Sequence, residues 1–391
     1  MEKFGVGQGV RRAEDPRLLR GRGLFTNDVN LPHQTYAIVL RSPYAHAEMK
    51  SIDTSAAKAA PGVQGVFTGE DVAADNLGVP GMPAKWKRPD GEPMKYRPQP
   101  PLALGRVRYV GDPVALVVAD TLDQARDAAE LIEVDYQDLP SITNTEKTVD
   151  PDAALVWDDF PDNVSGQYQA GDADAVEAAF ASAARIVKRR FVISRVFAQY
   201  MEPRGAIGAY DEREDRYTLH ADVQYPHRVR QLLAEKIFNI PEQAVRVVAR
   251  DVGGGFGTKG WQYAEHRLVL WASRKIGRPV KWNCERSEAV MADEHGRDNV
   301  TEKPAVRICQ CRHPDRRVQN PRGPCDRPHG PFEHQSHRAL SRCRPARSHL
   351  CDRANVRRIR TRDRCRSGRT TRTEHDRVGC HAAEDGARPV L

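Results

Sequence analysis

Ten residues, Asp251-Val252-Gly253-Gly254-Gly255-Phe256-Gly257-Thr258-Lys259-Gly260, restrict this chain more than any other stretch. They follow an apolar segment of β character, Val245-Arg246-Val247-Val248-Ala249, so the backbone must leave a strand and turn sharply. Four of the five residues from 253 to 257 have no side chain. Only glycine takes positive φ freely or lets a ligand lie against the main chain. Phe256, the one large residue of the run, is then held out as a rigid apolar wall.

Three readings compete for the run. A phosphate-gripping loop needs G-x-x-x-x-G-K-[ST]; here Thr258 precedes Lys259 and Gly260 follows it, so the spacing and the metal-binding hydroxyl are both misplaced. A dinucleotide fingerprint G-x-G-x-x-G can be drawn through Gly255, Gly257 and Gly260, with Glu285 as the later acid, which would make the chain an NAD-dependent oxidoreductase. The third is a strand-to-helix connection whose glycines serve packing. The residues alone leave the last two open.

A second stretch stands upstream, Asp222-Val223-Gln224-Tyr225-Pro226-His227, where Pro226 opens a helix at its first turn and Gln224 sits just before it, at the end of a strand. By itself Gln224 reads as an ordinary cap or turn residue. Together, this stretch and Gly253-Gly254-Gly255-Phe256-Gly257-Thr258-Lys259 resemble the first molybdenum-cofactor loop pair in the large subunit of the xanthine dehydrogenase, aldehyde oxidase and aerobic carbon monoxide dehydrogenase family. The resemblance covers about residues 5 to 300 and is to the N-terminal part of that subunit. It implies that Gln224 hydrogen-bonds an oxo ligand of molybdenum, and that Gly254, Gly255, Phe256 and Gly257 lie against the metal and its pterin, with no direct metal ligand from the chain. It also implies that no catalytic residue is present, because the family's glutamate base comes from late in its sequence.

The cofactor implied is molybdenum–molybdopterin (Mo-MPT or MCD), with FAD and 2Fe-2S clusters on partners. Those partners are an FAD-binding medium subunit and a 2Fe-2S small subunit, joined in a dimer of heterotrimers. The implied reaction is oxidative hydroxylation of an aldehyde, an N-heterocycle or carbon monoxide with water-derived oxygen. The loops that choose among these substrates fall after residue 302, so the sequence makes no choice.

Charge divides the chain in two. Residues 301–391 hold 22 of its 61 Lys and Arg, 21 of them Arg, but only 10 of its 53 Asp and Glu; residues 1–300 carry 39 against 43. Cysteine divides the same way: Cys284 is the only one before residue 300, and seven follow. A body with one cysteine is of the reduced, intracellular type rather than a disulfide scaffold. Met1 to Gly7 lacks the apolar core of a signal peptide, and no stretch reaches the ~18 apolar residues of a membrane span. The expectation is a cytoplasmic protein with neither membrane nor nucleic acid as partner.

Element patterns give an α+β class. Residues 1–20 form an arm of alternating charge lying over another domain. Residues 21–142 read as a small mixed unit that resembles the family's a/b hammerhead domain. It contains strands at Tyr36–Arg41 and Val63–Thr68, a short helix at 54–60, a long loop over 79–101, strands at 107–111 and 113–119, and a helix at 121–133 started by Thr121. Residues 143–170 are a linker. Residues 171–302 read as the first part of a molybdopterin-binding domain, with an Asp172-capped helix to Ala184, strands at 186–195, 206–210 and 216–221, the Pro226 helix, a buried helix at 262–276 and a strand at 280–283. Two tempting side chains stand aside from the chemistry. His46 has no ligand neighbour at metal spacing and reads as a buried, hydrogen-bonded histidine, and Glu202, next to Arg204, reads as a structural ion pair rather than a general base.

Residues 303–391 break the pattern. They hold one aromatic residue, Phe332, and clusters such as Arg357-Arg358-Ile359-Arg360-Thr361-Arg362. Such a stretch buries too little apolar surface to offset its chain entropy, and disorder is expected. A nucleic-acid-binding tail follows from charge alone, and a zinc site from Cys309-Gln310-Cys311-Arg312-His313 lacks a second ligand pair at finger spacing. The favoured explanation is a frameshift: the excess of Arg, Pro, His and Cys is what shifted GC-rich codons yield, and it begins where the family likeness ends. A molybdenum hydroxylase chain truncated in this way is expected to be inactive.

Overall fold

The computed structural model describes residues 9, 11–81, 86–307 and 337–339. The first half runs α1 (Asp15–Leu18), β1 (Thr35–Arg41), β2 (Ala47–Asp53), α2 (Ser55–Ala59), β3 (Val63–Thr68), α3 (Gly69–Ala74), β4 (Arg106–Val107), β5 (Pro113–Ala119), α4 (Leu122–Glu130) and β6 (Glu133–Asp138). The second runs β7 (Gly166–Tyr168), α5 (Ala173–Ala181), β8 (Arg185–Ile193), β9 (Gly205–Asp211), β10 (Arg216–Ala221), α6 (Pro226–Leu232), β11 (Val245–Val248), α7 (Ala264–Ile276), β12 (Val280–Asn283), α8 (Arg286–Ala292), β13 (Asn299–Arg307) and β14 (His337–Ala339). The class is mixed α+β.

One seven-stranded sheet, in the order β11-β10-β9-β12-β1-β5-β3, joins both halves of the sequence. Its seam is the parallel pair β1–β12, with Thr35 opposite Val280 and Ala37 opposite Trp282. β5 is buried at every residue, as a continuous apolar run should be when both faces of a strand are covered. Its alternate side chains serve two cores. Leu116 and Val118 join Ala37, Val39, Leu219, Leu268 and Trp282 in the main one, whereas Ala115, Val117 and Ala119 meet Ala125 and Ala128 of α4. Each large apolar side chain so buried contributes about 1.5–3 kcal/mol.

α7 lies across β9 closely enough that Gly208 has no room for a side chain, because a Cβ there would stand 2.4 Å from the carbonyl carbon of Val269. That contact fixes how deep the helix sits. A smaller antiparallel sheet, β4-β2-β6, and the ribbon β13–β8 complete the body, and β14 pairs with β7.

Several elements differ from the sequence reading. β2 and β6 are absent from it because their exposed positions carry charge and leave no apolar run. The helix expected to reach residue 133 stops at Glu130, where Leu131 and Ile132 turn into β6. The strand expected over 107–111 is only the pair Arg106–Val107, and past the strand expected at 280–283, α8 opens, with the Glu285 N–H donating to the Glu288 carboxylate at 3.2 Å. β13 pairs with the nine residues of β8 across the break set at residue 302, as far as Arg307. The remaining expectations for the tail, disorder and the Cys309–His313 zinc site included, lie outside the described residues.

Candidate functional site

β10 and β11 run parallel, with His220 opposite Val248, so their carboxyl ends open on the same side. Ligands of open α/β sheets seat beyond such strand ends. β10 runs out into Asp222-Val223-Gln224, and β11 runs out into the glycine loop. β9 is antiparallel to β10, which brings the segment entering it, residues 200–204, to the same edge.

The loop wraps around Gln224. The Gln224 N–H donates to the Lys259 carbonyl at 2.9 Å, and Gln224 Oε1 accepts from the Gly257 N–H at 3.0 Å. Positive φ occurs at Gly254 (96°), Phe256 (48°) and Gly257 (97°). Holding Phe256 there costs about 1–2 kcal/mol relative to ordinary backbone, and its ring is 78% exposed. Among the described residues, the N–H groups of Gly254, Gly255 and Phe256 and the Gln224 Nε2 find no acceptor. Successive amides in alternating φ signs form concavities that receive oxygen-rich ligands.

A buried lysine underpins the turn. Lys259, 2% exposed, sends its ammonium back to the Glu202 carbonyl at 2.7 Å, to Glu202 Oε2 at 3.1 Å and to the Asp222 carboxylate. The Tyr200 ring lies 4.7 Å beneath the ammonium. Glu202 also accepts from the Gly253 N–H at 2.6 Å and the Thr26 N–H at 3.2 Å. Burial pushes the Asp222 carboxyl up to about 6, against the pull of Lys259. At the mouth of the loop, Asp251 takes both guanidinium nitrogens of Arg17 at 2.6 Å and the Leu24 N–H at 2.7 Å. The Arg17 bonds, then the Leu24 N–H, hold the Asp251 carboxyl well below the usual carboxylate range.

A second buried network ties α7 to the strands. Arg204 pairs with Glu265 at 2.9 Å and Asp293 at 2.6 Å, and Arg41 pairs with Glu265 at 2.5 Å and Glu288 at 2.7 Å. Burial opposes charge on Glu265, but Arg204 and Arg41 together hold it below the ordinary glutamate value. Burial, with Arg204 nearby, pushes the neighbouring His266 down to about 3.

Gln224, Gly254, Gly255, Phe256 and Gly257 therefore stand in one turn around one carboxamide. Glu202 is in an ion pair, but with Lys259 rather than with its neighbour Arg204. His46 is buried and its Nδ1 meets the Pro140 carbonyl at 2.8 Å. The dinucleotide fingerprint does not hold, because the helix it requires at the loop begins only at Ala264, after a short 3-10 turn over Thr258–Gly260. Sequence reasoning missed Lys259, Asp222, Arg17 and Asp251. A lysine set between Thr258 and Gly260 in a buried turn was the available signal.

Comparison with known proteins finds two families along the chain. The family described as "Aldehyde oxidase and xanthine dehydrogenase, a/b hammerhead domain" matches residues 20–140, and the "Molybdopterin cofactor-binding domain" family matches residues 156–303. The chain is 36% identical over 293 residues to the nicotine 6-hydroxylase large subunit of Paenarthrobacter nicotinovorans, covering 75% of this chain and 35% of that protein. It is 35% identical over 306 residues to the carbon monoxide dehydrogenase large chain of Afipia carboxidovorans, covering 75% and 36%. The crystal structure of quinoline 2-oxidoreductase from Pseudomonas putida 86 superposes with a TM-score of 0.71 at 38% identity, covering 78% of this chain and 38% of that one. The chain thus spans about a third of the length of the curated relatives it matches. Among the described residues no helix is long and apolar enough to cross a membrane.

Proposed function

This chain belongs to the xanthine dehydrogenase, aldehyde oxidase and carbon monoxide dehydrogenase family of molybdopterin-binding large subunits, and from that membership we propose that Gln224 and the glycine loop form one wall of the cofactor site of a molybdenum hydroxylase. One observation supports this above the others: three successive amides and a carboxamide NH2 stand beside an exposed ring, without acceptors among the described residues. A cofactor that presents oxo and pterin acceptors fits such a set of donors. Nothing in the turn but Phe256 projects far enough to keep a ligand off the main chain, and a Cβ on Gly255 would already press on Gln224 Oε1 at 2.8 Å.

When bound, the molybdenum cofactor supplies oxygen transfer and two-electron redox chemistry. Gln224 spends its carbonyl oxygen on the Gly257 N–H, which aims its NH2 at a ligand acceptor. The loop amides orient that ligand without reorganising, as preorganised donors do. The Phe256 ring excludes water from one side. The chain's matched residues span about a third of the relatives' length, and in this reading the general base and the remaining pterin contacts lie outside that third. Its relatives are large subunits of multi-subunit complexes; for this chain the corresponding partners are an FAD-binding and a 2Fe-2S subunit. We take residues after 302 as read out of frame.

The test uses the coding sequence restored in frame beyond codon 302 and co-expressed with its partner subunits. Gln224→Ala and Phe256→Ala should each lower molybdenum per chain, or turnover, by about 10–100-fold, the usual cost of losing a group that orients a metal ligand. Wild-type molybdenum content and turnover in both variants would remove the assignment.

A further inference from the structure

The three chain segments that meet at the site share one cation. Lys259 belongs to the glycine loop, Glu202 to the segment entering β9, and Asp222 to the run-out of β10, and the lysine ammonium touches both carboxylates. Its side chain is 1% exposed, as is that of Asp222. The same residue holds Gln224 through its backbone, because its carbonyl accepts the Gln224 N–H at 2.9 Å. Glu202 in turn grips the loop at its other end, through the Gly253 N–H at 2.6 Å, and reaches the Thr26 N–H at 3.2 Å. Both ends of the turn are therefore tied to one buried ion cluster, while the amides of the residues between, 254 to 256, find no acceptor among the described residues.

We propose that Lys259, acting through Glu202 and Asp222, is the positioning residue that presets the glycine loop and Gln224 before any cofactor arrives. The relevance of this anchor to catalysis rests on the cofactor reading above, but the anchor itself is a property of the chain alone. A charge buried with its partners is costly to leave unpaired, so the loop cannot swing away without breaking the cluster. The loop shape is a consequence of the ion pair rather than of ligand binding, which is the arrangement a preorganised site requires. The Lys259 ammonium also stands over the Tyr200 ring, 4.7 Å from its centroid, which adds a cation–π contact to the ion pairs.

Hydrogen exchange on the intact 391-residue chain tests this without cofactor. In Lys259→Met, exchange of the bonded amides at Gln224, Gly253 and Gly257 should rise about 10-fold or more, equivalent to losing one net hydrogen bond or more at each. Protection at Leu219 in β10 and Ile207 in β9 should stay as in wild type. Glu202→Gln, which keeps one acceptor for Gly253, should give an intermediate rise there. Unchanged exchange at the three loop amides, or an equal rise throughout the sheet, would overturn the proposal, the second result showing a purely global role. Molybdenum retention in the frame-restored protein separates the two claims. If Gln224→Ala retains cofactor, the site reading fails and the anchor stands; if Lys259→Met leaves loop exchange unmoved, the anchor fails whatever the cofactor does.

Discussion

A methyl group at residue 255 would stand 2.8 Å from Gln224 Oε1, and residue 255 itself does not use positive φ. Gly255→Ala is therefore a test of space rather than of backbone strain. It should push the carboxamide off the Gly257 N–H and lower cofactor retention in the frame-restored protein, with global stability reduced by about 1 kcal/mol at most. Metal analysis beside a urea melt checks both halves. Arg17 offers a second single-residue test. Asp251 is held below its unfolded value, so the clasp between the N-terminal arm and the loop is complete above about pH 4 and is lost as pH falls further. Limited proteolysis of residues 15–25 should show the arm in wild type released progressively as pH falls well below that value, and released at neutral pH in Arg17→Ala. An arm equally protected in both would mean that other contacts hold it.

Among the elements, α7 carries the sharpest predictions. His266 is buried neutral, with its value pushed down to about 3 against an ordinary value of about 6.5. The unfolded chain binds a proton there that the folded chain refuses. Folding stability should consequently fall as pH drops from about 6.5 toward about 3, with a slope of up to ~1.4 kcal/mol per pH unit from this group. Asp222, raised to about 6, contributes the opposite slope over a narrower window. The difference between wild type and His266→Gln isolates the histidine: the stability of wild type relative to the variant should fall as pH drops from about 6.5 toward about 3, and parallel curves in paired melts would contradict it. Gly208→Ala presses a methyl group against the backbone of Val269 and should cost about 1–3 kcal/mol or more by overpacking. The elements that were legible in advance share a physical trait. β5 and α7 are apolar runs and α4 carries its own cap, Thr121, whose hydroxyl accepts the Gln124 N–H at 3.2 Å. β2, β6 and α8 are exposed, polar pieces whose form is decided by pairing and packing with distant sequence. The same division holds at the site: the glycines and Gln224 announce themselves by composition, whereas Lys259 acts through Glu202 and Asp222, 57 and 37 positions away, which no local pattern displays.

For the whole molecule the informative fact is the seam between β1 and β12. The two matched family segments, 20–140 and 156–303, are joined by one sheet and one core, in which Ala37 and Leu116 pack with Leu268 and Trp282. The residues from 20 to 140, excised, would expose the β1 edge and half of that core, and should show no cooperative thermal transition, while residues 11–307 should show a single one by circular dichroism. A cooperative melt of the excised piece would mean that the seam adds little. The sheet also explains why the site lies where it does: its parallel pair β10–β11 opens at the one edge where Gln224, the glycine loop and the segment before β9 arrive together. The decisive measurement is an anomalous difference map across the molybdenum absorption edge, from crystals of the frame-restored, cofactor-loaded protein. A molybdenum peak beside the Gln224 carboxamide and the amides of residues 254–257 is the predicted result. A peak elsewhere, with Gln224 and Phe256 facing only solvent, would contradict the cofactor site proposed for this chain.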